Sequence, residues 1–277
     1  MLVSRMRYRE YGPSPSLAPI VHCVWTLEGH AREFADVQPV LPDGRPEIIL
    51  HLGDPFDRIE AGRPQQRQPA IIFAGQLLGP LTLRPTGSVA VVGIRLQPHG
   101  AAALFKQPQD DLVGSTIGVN DLSPRLSRVL NGVRDRTSSV HEAAQIVQQC
   151  LETCVDSSRV DRRVRAAVGY IGSTRGLVTV EDLARRVGLT ARHLERRFKQ
   201  TVGVSPKRLA RITRFQRALR KLETLDSPQR GTDTAALCGY ADQAHFIRDF
   251  RELAGCPPGA HLMRQAELNG FFSSGAC

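Results

Sequence analysis

The sequence predicts a multidomain α+β protein: a β-rich small barrel or sandwich, cupin-like, with trailing helices, and then an all-α region built from two helix-turn-helix units. Three observations lead there. Short β-branched runs separated by Gly and Pro fill residues 21–96, the pattern of a small all-β unit. After Pro98 the apolar period lengthens to that of helices. The charge is also split: residues 1–158 hold 15 Lys and Arg against 16 Asp and Glu, while residues 159–277 hold 22 against 11. A neutral half joined to a basic one fits a sensor or assembly domain beside a nucleic-acid binder. The expected division is a β-rich sensor or assembly domain over 1–110, a helical connector or dimerisation segment over 111–158, and a DNA-binding domain over 159–277.

The strands are read first. Val21–Leu27 alternates around the single tryptophan, Trp25, and Glu47–Leu52, Ala70–Ala74 and Val89–Leu96 follow. Leu41-Pro42-Asp43-Gly44 is a turn signal, since proline presets φ and glycine accepts φ > 0. Glu60–Pro69 reads as an exposed hairpin loop. Helices are expected over Pro98–Phe105, Asp121–Gly132 and Val140–Cys154, the last two amphipathic and suited to covering the β unit or forming a dimer face.

The basic half opens with Arg159–Ile171, whose Val160, Val164, Ala167, Val168 and Ile171 share a stripe. In Val180–Val187 the apolar residues again fall at i, i+3, i+4 and i+7, and Gly188 ends the helix. Thr190 caps the next, where Leu194 and Phe198 face inward and Arg192, Glu195, Arg196 and Lys199 line the outside. A helix with an apolar back and a basic front, braced by a shorter one, is a recognition helix in a helix-turn-helix. Ser205-Pro206 starts a long helix to Leu222, about 25 Å at 1.5 Å per residue. The pattern then repeats: Thr232–Cys238, a turn at Gly239, and Asp242 capping a helix with Phe246, Phe250 and Leu253 inside and Gln243, Ala244, His245 and Arg248 outside. Two such helices on one spacer can enter successive major-groove faces, roughly 34 Å apart.

Other classes are weighed against this. No run of about 18 apolar residues occurs, and the opening MLVSRMRYREYG has no apolar signal-peptide core, so a cytoplasmic protein without a membrane partner is expected. His22, His30, His51 and His99 form no HxH or HxxxH pair, and no nucleophile–base set can be assigned from spacing. Neither a catalytic residue, a metal site nor a cofactor is therefore expected. Cys23, Cys150, Cys154, Cys238, Cys256 and Cys277 contain no CxxC pair and fit a reduced protein. An enzyme, either a metal-dependent barrel or a methyl acceptor with a reactive cysteine, would need stoichiometric zinc or an activated thiol. A DNA-binding architectural or partner-binding protein without effector response is the further alternative.

The run VEDLARRVGLTARHLERRFKQTVGVSPKRLARITRFQRALRKL, followed by GYADQAHFIRDFRELAGCPPG, resembles the tandem helix-turn-helix module of the AraC/XylS family of bacterial transcription regulators, over about residues 162–264. The resemblance implies a seven-helix DNA-binding domain and double-stranded promoter DNA as partner. It would have Arg192, Glu195 and Arg196 of the first recognition helix, and Gln243, Ala244, His245 and Arg248 of the second, read bases. Arginine pairs bidentately with guanine and glutamine with adenine, while Glu195 either accepts from cytosine or orients a neighbouring arginine. Lys199, Lys207, Arg208 and Arg211 are assigned to phosphates. The sequence departs from the family at Gly231 and Thr234, where aliphatic residues are usual, so a short or frayed supporting helix is expected in the second unit. The N-terminal half resembles the β-rich domains found beside this module, through Pro42-Asp43-Gly44, His51-Leu52-Gly53 and Val92–Phe105. Such domains bind small effectors or mediate homodimers, and RNA polymerase is a further partner of a promoter-bound regulator. No effector-binding residue can be assigned.

Overall fold

The computed structural model describes residues 7–33, 37–60, 62, 64–224 and 230–268. Ala61 and Arg63 of the expected hairpin loop, and both chain ends, lie outside the described residues. Two antiparallel sheets form the N-terminal region. The larger runs β1 (Arg7–Tyr11), β2 (Val21–His30), β9 (Ser88–Leu96), β4 (Glu47–His51), β7 (Ile71–Ala74) and β10 (Thr116–Gly118) in spatial order. The smaller runs β3 (Gln38–Val40), β8 (Leu81–Arg84), β5 (Asp57–Ile59) and β6 (Gln66–Arg67). The sheets remain separate, and no barrel closes among the described residues. The four strands read from the sequence are β2, β9, β4 and β7, contiguous in the middle of the large sheet.

Alternation along these strands serves two cores. Val24, Leu50, Phe73, Val92 and Ile94 face the helices α2 (Pro124–Arg136) and α3 (Val140–Glu152), meeting Leu130, Val133, Val147 and Leu151. Each fully buried side chain of this kind is worth roughly 1.5–3 kcal/mol. On the opposite face Cys23, Trp25, Leu27, Val89 and Val91 meet Phe56 and Leu83, filling the space between the sheets. Trp25 lies over Gly93, where a Cβ would stand 1.9 Å from the indole.

Two helices differ from expectation. Within 98–105 only Gly100–Ala103 is helical, a single 3-10 turn. A Cβ at Gly100 would lie 2.2 Å from Ile20 O, and Phe105 is held edge-on to Phe73 at 4.7 Å. The segment expected over 121–132 divides into α1 (Val119–Leu122) and α2, because Ser123 accepts from the Leu126 N–H at 3.3 Å and Pro124 occupies the first helical position.

Seven described helices complete the chain: α4 (Arg162–Ser173), α5 (Val180–Arg186), α6 (Ala191–Val202), α7 (Pro206–Thr224), α8 (Arg230–Leu237), α9 (Gln243–Ala254) and α10 (Pro258–Leu268). The long helix α7 joins two cores. Leu209 and Ala210 pack with Leu183, Leu194 and Phe198, while Ile212, Phe215, Ala218, Leu219 and Leu222 pack with Phe246, Phe250 and Leu253. In α8, Thr234 is fully buried.

Candidate nucleic-acid interface

The helices α6 and α9 each begin at a side-chain cap. Thr190 accepts from the His193 N–H at 3.3 Å, and Asp242 from the His245 N–H at 2.6 Å. Each ends at a glycine of positive φ, Gly203 at 93° and Gly255 at 74°, a conformation that costs glycine little.

On α6, Leu194 and Phe198 are completely buried, which turns Arg192, Glu195, Arg196 and Lys199 to solvent. None of these four is hydrogen-bonded or ion-paired by its side chain to another described residue, so all are available to a ligand. The adjacent Arg197 is used differently: its Nη1 donates to Asp161 Oδ2 at 2.7 Å. Asp161 also caps α4, accepting from the N–H groups of Arg163 and Val164. Burial alone would raise the Asp161 pKa, but Arg197 and the two N–H groups outweigh it and hold the carboxyl below its usual range.

On α9, Gln243, Ala244 and Arg248 are exposed. His245 is half-buried, edge-on to Tyr240 at 5.3 Å, with Nε2 3.9 Å from Asp249 Oδ1. Burial pushes the Tyr240 hydroxyl up to about 12.

The residues assigned to phosphates divide. Lys199 and Lys207 are exposed. Arg208 and Arg211 are instead occupied inside the chain: Arg208 pairs with Glu252, and Arg211 reaches Asp249 at 2.8 Å and Glu252 at 2.6 Å. Arg214 adds a 3.5 Å contact to Asp249 and lies over the Tyr240 ring. Hydrogen bonds from Arg211 and Arg208 hold the Glu252 carboxyl below its usual range. The periodicity of α7 identifies arginines facing outward from the first core but says nothing of carboxylates some forty residues away. One local signal was present: Asp249 sits on the apolar stripe between Phe246 and Leu253 and is only 5% exposed. A carboxylate there needs cationic partners.

Surface depressions of about 300 and 310 Å³ lie at Arg162, Arg163 and Arg186, and at Arg128, Arg136 and Cys150; neither is between the sheets. Among the described residues no group of three His, Cys, Asp or Glu side chains is placed to hold a metal, and no helix is long and apolar enough to cross a membrane.

Two families match this chain. Residues 183–264 match one described as a helix-turn-helix domain, and residues 9–118 match a domain of unknown function, DUF6597. The chain is 34% identical over 115 residues to the HTH-type transcriptional activator RhaS of Pectobacterium carotovorum subsp. carotovorum (strain PC1), a match covering 41% of this chain and 40% of that protein. It is 31% identical over 101 residues to a probable thc operon regulatory protein of Rhodococcus erythropolis, covering 36% and 30%. The chain thus spans well under half the length of these curated relatives. Among solved structures it resembles a probable AraC family transcriptional regulator from Rhodopseudomonas palustris CGA009, at 30% identity and a TM-score of 0.34, covering 38% of this chain and 97% of that one.

Proposed function

We propose, from the match of residues 183–264 to a helix-turn-helix domain, that this chain is a sequence-specific DNA-binding transcription regulator of the bacterial cytoplasm, of the AraC type. The observation that carries the reading is the outer face of α6, where Arg192, Glu195, Arg196 and Lys199 stand exposed on a helix whose opposite side buries Leu194 and Phe198. Arg192 and Arg196 suit guanine, and Gln243 and Arg248 extend the readout from α9. Glu195, Ala244 and the partly engaged His245 complete the reading faces, with Lys199 and Lys207 at phosphates. Because one chain carries both units, a homodimer is not required.

The division proposed is a β-rich domain over 1–110, a helical segment over 111–158 and the DNA-binding domain over 159–277. An effector or partner at the first of these shifts DNA occupancy only through differential affinity for the binding-competent arrangement, and RNA polymerase is the partner on which a promoter-bound regulator acts. A second reading, a DNA binder without effector response, is favoured by Trp25, Phe56, Leu27 and Val91 filling the space between the sheets.

The test is selection of bound sequences from a random DNA pool by the full chain. An asymmetric motif spanning about two helical turns is expected. The absence of any enriched motif would remove sequence-specific recognition.

A further inference from the structure

The N-terminal region touches residues 159–268 at several places, among them the C-terminal ends of α6 and α9. At the end of α6, a Cβ on Gly203 would lie 2.9 Å from Gln109 O and 3.0 Å from Val113 Cγ2. At the end of α9, a Cβ on Gly255 would lie 3.0 Å from Pro80 Cγ. Between them the Pro42–Gly44 turn rests on the spacer α7: Gln216 Nε2 donates to Pro42 O at 2.7 Å, and a Cβ on Gly44 would meet Leu209 Cδ1 at 2.7 Å. All three contacts leave Arg192, Arg196, Gln243 and Arg248 uncovered, since those side chains are exposed.

The second contact is fastened by polar groups. Arg208 donates to Leu78 O in the loop before Pro80 and pairs with Glu252 of α9. Arg211 and Arg214 continue along α7 to Asp249. The hydrophobic force behind packing such as Phe215 against Phe250 is non-directional and by itself leaves the register of the helices open. Three arginines at i, i+3 and i+6 facing two carboxylates at i and i+3 do not, because a slip of one turn, about 5.4 Å, strips at least one arginine of its partner.

We propose that the N-terminal region is a gauge that fixes the distance between the two recognition helices, and that Arg208 is the positioning residue that couples it to α9. The region thereby selects the spacing between the two half-motifs in DNA rather than covering the reading faces. This rests on the DNA-reading function proposed above.

The test uses the full chain and a library in which the two selected half-motifs are separated by spacers of varied length. The unaltered chain should prefer one spacing by about tenfold, some 1.4 kcal/mol. Arg208→Gln should bring neighbouring spacings to within about threefold of the optimum, as one positional restraint is lost. Pro80→Ala removes a contact from the exposed N-terminal loop without altering the helix-turn-helix region, and should broaden the spacing in the same direction even where Arg208→Gln disturbs folding. Lys207→Gln should weaken all spacings alike. If Arg208→Gln also weakens all spacings in step, Arg208 is a phosphate contact and the gauge is overturned. Unchanged spacing preference in Pro80→Ala overturns it as well. Failure of the unaltered chain to enrich any half-motif is a separate result, and removes the DNA-reading function together with the gauge.

Discussion

Asp161 and Arg197 join the start of α4 to the side of α6: one carboxylate oxygen caps α4 while the other takes the guanidinium at 2.7 Å. The pair restrains rotation of α6 about its own axis. Arg197 is 45% exposed, so the ion pair itself contributes little, about 0.2–1 kcal/mol. The cap contributes about 1 kcal/mol. Asp161→Ala should therefore cost about 1–2 kcal/mol in urea unfolding, and Asp161→Asn, which retains a capping oxygen, clearly less. Equal losses in the two variants would mean that charge and not capping dominates.

Arg196→Ala should cost about 1–3 kcal/mol on the selected site and relax the preference at one base pair. Lys207→Ala should weaken specific and random DNA alike and make the salt dependence shallower by about one unit. Binding isotherms across a salt series distinguish them. Identical behaviour of the two variants on both DNAs would abolish the division between reading and positioning residues.

Phe198 is fully buried against Leu183, Leu194 and Leu209. Phe198→Ala should destabilise the first unit by roughly 3–5 kcal/mol, the range of core aromatic truncations. Thermal unfolding is the measure, and an unshifted transition would contradict the helix phase described for α6.

Acid should destabilise the N-terminal region through neutral buried histidines. His51 is 1% exposed beside Phe56, and burial pushes its pKa from 6.5 down to about 4. A base held below its unfolded value supports the fold above about pH 6.5 and gives up that support as pH falls, since the unfolded chain then binds the extra proton. The slope between pH 6.5 and 4 is about 1.4 kcal/mol per pH unit for one histidine. His51→Leu should flatten the decline of the urea midpoint from pH 7 to 5, and an unaltered slope would exclude His51 from the acid response.

The long, strongly periodic elements were legible in the sequence. Val21–Leu27 and Val89–Leu96 are β2 and β9, at the centre of the large sheet, and the Leu194/Phe198 stripe fixes the phase of α6. The edge strands β1 and β10 and the whole small sheet were not, because strands of two to five residues with polar sequence, such as Gln66–Arg67, carry too few positions for a period to register. Ser123-Pro124 was a cap signature inside a run read as one helix. The occupation of Arg208 and Arg211 was illegible for another reason: their partners Asp249 and Glu252 lie on a different helix, and an outward-facing arginine has the same periodicity whether it meets phosphate or carboxylate.

The strand order of the large sheet also governs how the chain comes together as it is made. β9 inserts between β2 and β4, so neither of those strands acquires its inner neighbour until β3 to β8 have already left the ribosome. During that interval β2 offers an open edge, and open edges recruit other chains. Pairings distant in sequence also form slowly, whereas the local contacts of α4 to α10 form fast. A nascent chain halted before Ser88 should therefore be the aggregation-prone species, and one extended past Gly118 should hold the complete sheet.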